Sequence, residues 1–290
     1  NQYTKPFNEI SSVYAEFQNS LACFARINKL IKKQNEDISP NEMDIKKLNG
    51  EVSFDHLYFS YDKTKKLIED VNFTVKPGQK VAIVGPTGCG KTTLINLLLR
   101  FYDPDEGHIA IDNINTINIK RSSLRENFAM LLQDSYLFND TIKNNILIAN
   151  DNASDQMIYE ALQNAHADSF VMKLKDQINT VINEDATNLS QGQKQLLCIA
   201  RVMVSNPSIL ILDEATSNID VRTEKKIQDA FMHMMENKTC FVVAHRLSTI
   251  LNSDLILVMK DGNIIESGTH QQLIDKKGFY FELFNSMNNI

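Results

Sequence analysis

The sequence predicts an α/β fold with a mostly parallel central sheet, an antiparallel β edge and a helical subdomain, preceded by an amphipathic helix. First, residues 85–92 match the spacing G-x-x-x-x-G-K-[ST] directly after the apolar run 80–84, which is the order of strand, phosphate-binding turn and helix. Second, short apolar runs alternate with helical patterns up to residue 259. Third, a chain of 290 residues that is 43% hydrophobic can bury a sizeable core.

The N-terminal segment, residues 1 to about 35, predicts one amphipathic helix. Its apolar residues recur at intervals of three and four, which places them on one seam: Phe7, Ile10, Tyr14, Phe17, Leu21, Phe24 and Ile31. A polar stretch that ends at Asn49-Gly50 follows and is interpreted as a linker. We therefore divide the chain into residues 1–49, helix and linker, and residues 50–290, a separate domain.

From residue 51 the apolar period changes to two, which predicts strands. They are expected at Val52 to Phe59, Val71 to Val75, 80–84, 108–111, 128–132, 209–212, 240–243 and 255–259. Residues 139 to about 175 have a helical pattern, with Ser154 as an N-cap. Five apolar residues of this stretch are expected on one face of the helix: Met157, Ile158, Ala161, Leu162 and Ala165.

The stretch 85–93, GPTGCGKTT, has the residue types that hold a phosphate chain. Its three glycines allow positive φ and a close approach of the backbone, so that N–H groups point at phosphate oxygens. The dipole of the following helix favours the same negative charge. Lys91 is expected to reach the β- and γ-phosphates, and Thr92 to offer its hydroxyl to Mg²⁺. The nucleotide-binding residues expected here are Gly85, Pro86, Thr87, Gly88, Cys89, Gly90, Lys91, Thr92 and Thr93.

A second polar pattern is the apolar run 209–212, which ends in Asp213 and Glu214. Because an unpaired buried charge is costly, two carboxylates at the tip of a buried strand need a partner, and beside a phosphate-binding turn that partner is usually Mg²⁺. Asp213 is expected to hold the ion through water, and Glu214 to polarise the attacking water. The alternative is a strand that simply exits to solvent with acids in its turn.

Residues 189–193 predict the beginning of another helix, after the one that follows the glycine-rich turn. Ser190 and Gln193 have the spacing of a capping box, and Gly192 lies in the first turn of the helix. The free N–H groups of such a helix start are a potential anion site. An ordinary capped helix is the alternative.

Five segments, in this order, resemble the nucleotide-binding domain of an ATP-binding-cassette (ABC) transporter, most closely the exporter type: GPTGCGKTT, Gln133 after a strand, LSQGQKQ, ILILDEATSNID and VVAHRLST. The resemblance runs from about Glu51 to about Phe284. It implies the P-loop NTPase fold of ABC ATPases, with ATP and Mg²⁺ as cofactors. It also implies an ATPase that powers a bacterial exporter of the multidrug or lipid type at the cytoplasmic face of the cell membrane. The N-terminal helix resembles the tail of the last membrane-spanning helix in half-size exporters.

The resemblance also implies roles for single residues in the chain's own site. Tyr61 is expected to stack on adenine, with Phe59 as a neighbouring candidate. Glu214 is implied as the general base and His245 as the residue that contacts the γ-phosphate. The metal set implied by the resemblance is Thr92, Gln133 and Asp213, and the catalytic set is Glu214, His245 and Lys91.

Other residues are implied to act across a dimer. Ser190, Gly192 and Gln193 would bind the nucleotide of the opposite subunit, and Asp220 would lie in the loop that crosses the interface. The expected partners are therefore a second nucleotide-binding domain and a transmembrane domain, the latter in the same natural chain. Gln191 stands where glycine is usual, as in competent subunits of heterodimeric bacterial exporters. The sequence leaves heterodimer and homodimer open.

Net charge and cysteine content help to distinguish an exporter ATPase from other functions. The net charge of −6 does not suggest a nucleic-acid partner. The four cysteines form no C-x-x-C and fit reduced cytosolic thiols. A soluble ABC-type ATPase of the DNA-repair or translation kind is the alternative function, and a basic coiled-coil insert or a second cassette would have favoured it. A P-loop kinase would need an acceptor site and a lid.

Overall fold

The computed structural model describes residues 3–33, 42–132, 136–213, 220–243 and 247–288. The chain divides into two compact units, residues 1–41 and 42–290. The first unit is the predicted helix, α1 (Thr4–Ile31), which has no buried residue, so that its apolar seam is exposed over its whole length. Among the described residues, no helix combines the length and the apolar character needed to cross a membrane.

In the described part of the second unit, ten strands form two sheets. Their bounds are β1 (Val52–Phe59), β2 (Ile68–Val75), β3 (Lys80–Val84), β4 (Glu106–Ile111), β5 (Ile114–Asn115), β6 (Phe128–Leu131), β7 (Ile209–Asp213), β8 (Thr239–Val243), β9 (Leu255–Lys260) and β10 (Asn263–Gly268). The central sheet has the order β10-β9-β3-β8-β7-β6 and the smaller sheet the order β2-β1-β4-β5.

The central sheet is parallel from β9 to β6, and β10 pairs antiparallel with β9 at its edge. Strands β3, β7 and β8 are almost continuously apolar and buried, because helices cover both faces of a parallel sheet. The smaller sheet is antiparallel throughout. The predicted fold class, a parallel core with an antiparallel edge, is therefore confirmed.

The helices of the second unit flank the central sheet and build the helical subdomain. Their bounds are α2 (Lys91–Leu98), α3 (Arg121–Glu126), α4 (Ile142–Leu147), α5 (Asp155–Asn164), α6 (Asp168–Val171), α7 (Gln191–Ser205), α8 (Val221–Met234), α9 (Leu247–Leu251), α10 (His270–Lys276) and α11 (Phe279–Asn288). Helix α7 packs against β6 and against α4, α5 and α8, and so joins the helical subdomain to the sheet.

The helical subdomain differs from the sequence prediction in two respects. The stretch from 139 to about 175 forms three short helices. A turn separates α4 from α5, in which the Asn150 side-chain oxygen accepts the backbone N–H of Asn152, and α5 ends before His166, which has a φ of 55°. Ser154 caps α5 as predicted, by accepting the Met157 N–H. Met157, which was placed on the same face as the buried Ile158, Ala161 and Leu162, is 42% exposed. It lies in the first turn of the short helix α5, at the edge of its buried face.

Residues 42–51, which we call the entry strap, are the first segment of the second unit and lead into β1. The Ile45 N–H donates to Ser123 Oγ, and the same hydroxyl donates to the Ile45 carbonyl. Leu48 is buried, and its N–H donates to the Asn127 side chain. The carboxylate of Asp112 accepts the backbone N–H groups of residues 49–51. The division of the chain into a helix-and-linker segment and a nucleotide-binding domain stays a prediction.

A buried ion pair holds the beginning of the entry strap. Arg100 Nη2 lies 3.2 Å from Glu42 Oε1, and the two side chains are only 6% and 4% exposed. Arg100 also donates to the carbonyls of Thr116 and Ile119 and to Asp103. Arg100 follows α2 closely, so the end of this helix is linked directly to the strap.

Candidate functional site

The glycine-rich turn connects β3 to α2 in the predicted order. Gly88 and Gly90 have φ values of 81° and 106°, a region that favours glycine, and Gly90 is the N-cap of α2 without any side-chain cap. Residues 86–88 are exposed, whereas Cys89 and Gly90 are buried. The free N–H groups of the first turn of α2 therefore belong to a loop whose outer part is open to a ligand.

Lys91 is the first residue of α2 and is buried. Its ammonium donates to the carbonyls of Gly85 and Pro86, at 2.8 and 2.9 Å, so the side chain folds back over the loop. The charge is thus placed inside the curve of the turn, at the site where the sequence predicts phosphates. Thr92 is exposed and Thr93 is buried beneath it.

The turn between β9 and β10 supports the phosphate-binding loop from outside. The Gly262 N–H donates to the Cys89 carbonyl at 3.1 Å. A Cβ on Gly85 would lie 2.3 Å from the Met259 carbonyl oxygen, so the loop and the end of β9 are in direct contact. Sequence reasoning missed these contacts. The dipeptide Asp261-Gly262 between apolar runs, a hairpin signal, could have revealed the turn and β10.

Asp213 lies at the same edge of the central sheet as this loop. It pairs in register with Val243, and Val243 pairs with Ile83, two residues before the loop begins. Adjacent strands are about 4.8 Å apart, so Asp213 is roughly 10 Å across the sheet from β3. The carboxyl ends of β3 and β7 thus bring together the two sequence patterns that were predicted to act on one nucleotide.

Tyr61 lies just after β1 and is 52% exposed. Its hydroxyl accepts a hydrogen bond from Asn96 Nδ2 at 3.4 Å, so the tyrosine contacts α2, the helix that begins at the phosphate-binding loop. Phe59, the neighbouring candidate, is only 5% exposed and belongs to the core. Of these two rings, Tyr61 is the one that offers surface to a base.

The start of α7 has the predicted capping box. Ser190 Oγ accepts the Gln193 N–H, and the Gln193 side chain accepts the Ser190 N–H at 2.9 Å. Ser190 is exposed and Gly192 is buried. Ala186, where the ABC pattern often has glycine, has a φ of 49°. The backbone there keeps the conformation that glycine favours.

Three predicted site residues, Gln133, Glu214 and His245, lie outside the residues that the structure describes. Asp220, predicted in the loop that crosses the dimer, caps α8 by accepting the Thr223 N–H. This backbone hydrogen bond lowers the pKa of the Asp220 carboxyl.

The arrangement suits a triphosphate bound with a hard cation. Backbone N–H groups and the Lys91 ammonium supply the positive side. The Thr92 hydroxyl and the Asp213 carboxylate are oxygen ligands of the type that Mg²⁺ prefers. Among the described residues, no group of three or more His, Cys, Asp or Glu side chains could hold a metal ion.

Comparison with known proteins decides the family. The model of the ABC transporter family matches residues 68–217, which include the phosphate-binding loop and Asp213. The chain belongs to the ABC transporter family. This ABC domain is an ATP-binding domain and an ATPase. Its sequence is 42% identical over 286 residues to the uncharacterized ABC transporter ATP-binding protein YfiC of Bacillus subtilis, covering 98% of this chain and 47% of that protein.

Two further similarities identify exporters among the relatives of this ABC domain. The β-(1→2)glucan export ATP-binding/permease protein NdvA of Bartonella henselae is 47% identical over 242 residues, covering 83% of this chain and 41% of NdvA. A bacterial Atm1-family ABC exporter, solved with ATP bound, matches with a TM-score of 0.82 and 38% identity, covering 98% of this chain and 50% of the exporter chain. The chain thus spans about half the length of the relatives it matches.

Proposed function

We propose that this ABC domain drives an exporter by binding and hydrolysing ATP, together with a transmembrane domain that belongs to the same natural chain. The proposal rests on two observations: YfiC, about twice as long, matches 98% of this chain, α1 included, and NdvA, which matches 83% of it, is named an ATP-binding/permease protein. These names favour an exporter over a soluble cassette ATPase. The ATPase then works at the cytoplasmic face of the cell membrane.

The proposed binding mode uses the carboxyl edge of the central sheet. Residues 85–93 hold the phosphates with backbone N–H groups, and the Lys91 ammonium balances the charge of the β- and γ-phosphates. Tyr61 offers its ring to the adenine, since an aromatic face binds a base without needing hydrogen bonds. A bound Mg²⁺ would neutralise phosphate charge, with the Thr92 hydroxyl and Gln133 as ligands and with Asp213 holding the ion through water.

Hydrolysis is assigned to residues beyond β7 and β8. Glu214 directly follows Asp213 and is the proposed general base that accepts a proton from the attacking water. His245 follows β8 by two residues and is proposed to contact the γ-phosphate. Both side chains are proposed to act at the edge where β3 and β7 end together.

The proposed partner in closure is a second nucleotide-binding domain. Ser190, Gly192 and Gln193 lie at the start of α7, where the capping box uses the N–H groups of Ser190 and Gln193. The exposed Ser190 hydroxyl can still donate its hydrogen to the γ-phosphate of an ATP held opposite. ATP then bridges two domains, and hydrolysis removes the bridge. Whether the opposite domain is a second copy or a related chain decides between homodimer and heterodimer.

The test compares Glu214→Gln and Lys91→Ala in the 290-residue chain. Glu214→Gln should keep ATP affinity and lose most turnover, because the anion-binding loop is intact while the water-orienting carboxylate is gone. Lys91→Ala should weaken ATP binding itself, because it removes the ammonium from the loop. Calorimetric titration with ATP and phosphate release measure the two effects. Near-normal turnover in Glu214→Gln, or unchanged affinity in Lys91→Ala, would contradict the assignment.

The same Glu214→Gln chain tests the partner. If two copies close on ATP, the variant should run at twice its mass by light scattering with Mg²⁺-ATP, and Ser190→Ala added to it should reduce this dimer. A monomer at all nucleotide concentrations would exclude a homodimer of this domain.

A further inference from the structure

Tyr61 lies on an exposed turn, yet its backbone is fixed on both sides. The Ser60 N–H donates to Asp105 Oδ2 at 2.8 Å, and the Asp105 N–H donates to the Tyr58 carbonyl at 2.9 Å. After Tyr61, the Lys65 N–H closes a turn by donating to the Asp62 carbonyl. The loop that contains Asp105 is therefore one of the supports of Tyr61.

The ring of Tyr61 is fixed as well. The Tyr102 ring lies 4.9 Å from it between centroids at an interplanar angle of 83°, and the Phe59 ring lies 5.0 Å away at 85°. Asn96 holds the hydroxyl end. Edge-to-face packing on two sides still leaves Tyr61 52% exposed as a residue. An exposed tyrosine without these contacts would populate several χ1 rotamers.

The support of the ring is itself connected to the phosphate-binding helix. Tyr102 follows α2 by a few residues, and the Phe101 N–H donates to the Asn96 carbonyl, closing the end of the helix. Asp103 is held by both Arg100 and Arg121. Loop 101–105 thus extends the helix that begins at Lys91 and carries the ring that packs on Tyr61.

We propose that Tyr102 is a positioning residue for base recognition, which holds the Tyr61 ring in the orientation that stacks on adenine. The inference rests on the proposed role of Tyr61 in the function above. Phe59 also contacts Tyr61, but it is a core residue whose loss would disturb the smaller sheet. Tyr102 is 45% exposed and can be changed with little cost to the core.

The probes are Mg²⁺-ATP and Mg²⁺-tripolyphosphate, which carry the same phosphate chain with and without the nucleoside. Tyr102→Leu should weaken ATP binding between about threefold and tenfold, because Tyr61 regains its rotamers and loses a ring contact. Tripolyphosphate affinity should not change. Tyr102→Phe keeps the ring and should restore ATP affinity. Calorimetric titration of the whole chain measures each constant.

Phe101→Leu is the matched control, since Phe101 is also an exposed aromatic ring in this loop but contacts Arg125. It should leave ATP affinity at the wild-type value. Unchanged ATP affinity in Tyr102→Leu would overturn the inference, and so would an equal loss for tripolyphosphate, which would mean that the phosphate-binding loop has moved.

Tyr61→Ala separates this inference from the proposed function. If Tyr61→Ala weakens binding of ATP but not of tripolyphosphate, base stacking by Tyr61 is supported, and the result for Tyr102 decides the inference alone. Tyr102→Leu should then add little to Tyr61→Ala, because its effect passes through the Tyr61 ring. If Tyr61→Ala leaves ATP affinity unchanged, both the stacking role and the inference fail, while the role of Lys91 is unaffected.

Discussion

Replacement of Arg100 by methionine tests the buried ion pair that fastens the entry strap to the end of α2. The guanidinium is the partner of the Glu42 carboxylate, and both side chains are almost completely buried. It also donates to the carbonyls of Thr116 and Ile119, at 3.1 and 2.7 Å. Methionine fills a similar volume and keeps the same backbone strain, since Arg100 has a φ of 53° and neither residue is glycine.

The expected loss in the free energy of unfolding is about 3–5 kcal/mol, because the substitution leaves the Glu42 carboxylate buried without a counter-charge. The contact with Asp103 adds little to this figure, since Asp103 is 42% exposed and keeps Arg121 at 2.7 Å. A loss of this size is a large part of the roughly 5–15 kcal/mol that stabilises a typical domain.

Urea unfolding of the whole chain, followed by circular dichroism, measures the effect. The double variant Arg100→Met with Glu42→Met should be more stable than Arg100→Met alone, because no charge is then left buried. Arg121→Met is the control for loss of a more exposed arginine and should cost less. A loss below about 1 kcal/mol in Arg100→Met, or a double variant no more stable than the single one, would refute the reasoning.

Two further predictions concern a turn and a thiol. Gly262→Ala places its Cβ 1.7 Å from the Leu67 carbonyl oxygen, whereas Gly78→Ala meets no atom within 4 Å at a similar φ, 76° against 81°. Gly262→Ala should therefore lower the melting temperature more than Gly78→Ala. It should also weaken ATP binding, because the Gly262 N–H donates to the Cys89 carbonyl of the phosphate-binding loop. Equal losses in melting temperature would show that only the positive φ matters. Burial raises the pKa of Cys240 from 9.0 to about 12. The unfolded thiol therefore ionises first, and the free energy of unfolding falls above about pH 9, by at most about 1.4 kcal/mol per pH unit. Cys240→Ala should flatten this decline in urea titrations at about pH 8 and about pH 10, and equal slopes would contradict it.

The features that the sequence predicts well are those encoded over a few neighbouring residues. The loop 85–93 carries its own glycines and lysine, and the capping box at Ser190 and Gln193 needs only three residues of spacing. Strands β3, β7 and β8 are continuous apolar runs, which only a sheet buried on both faces accommodates. For these elements local pattern and tertiary structure agree.

Features that depend on distant residues could not be predicted in this way. The burial of Arg100 depends on Glu42, 58 residues earlier, and nothing near either residue indicates the other. The support of Tyr61 by Tyr102 and Asp105 depends on how the end of α2 meets the end of β1. The exposure of Met157 depends on where α5 begins, and helix boundaries are set by turn chemistry as much as by apolar period.

The way in which the entry strap is fastened determines how it can come loose. Its far end is held by the Asp112 carboxylate and by Leu48, and its beginning is held by the Glu42 carboxylate, while Ser123 fixes the middle. An element held at both ends cannot fray residue by residue from its terminus. Residues 42–51 should instead open as one cooperative unit, at a free energy below that of global unfolding, because they contribute little apolar surface to the core: Leu48 is fully buried and Ile45 is partly buried. In native-state hydrogen exchange, the amides of Ile45 and Leu48 should then share a single opening free energy.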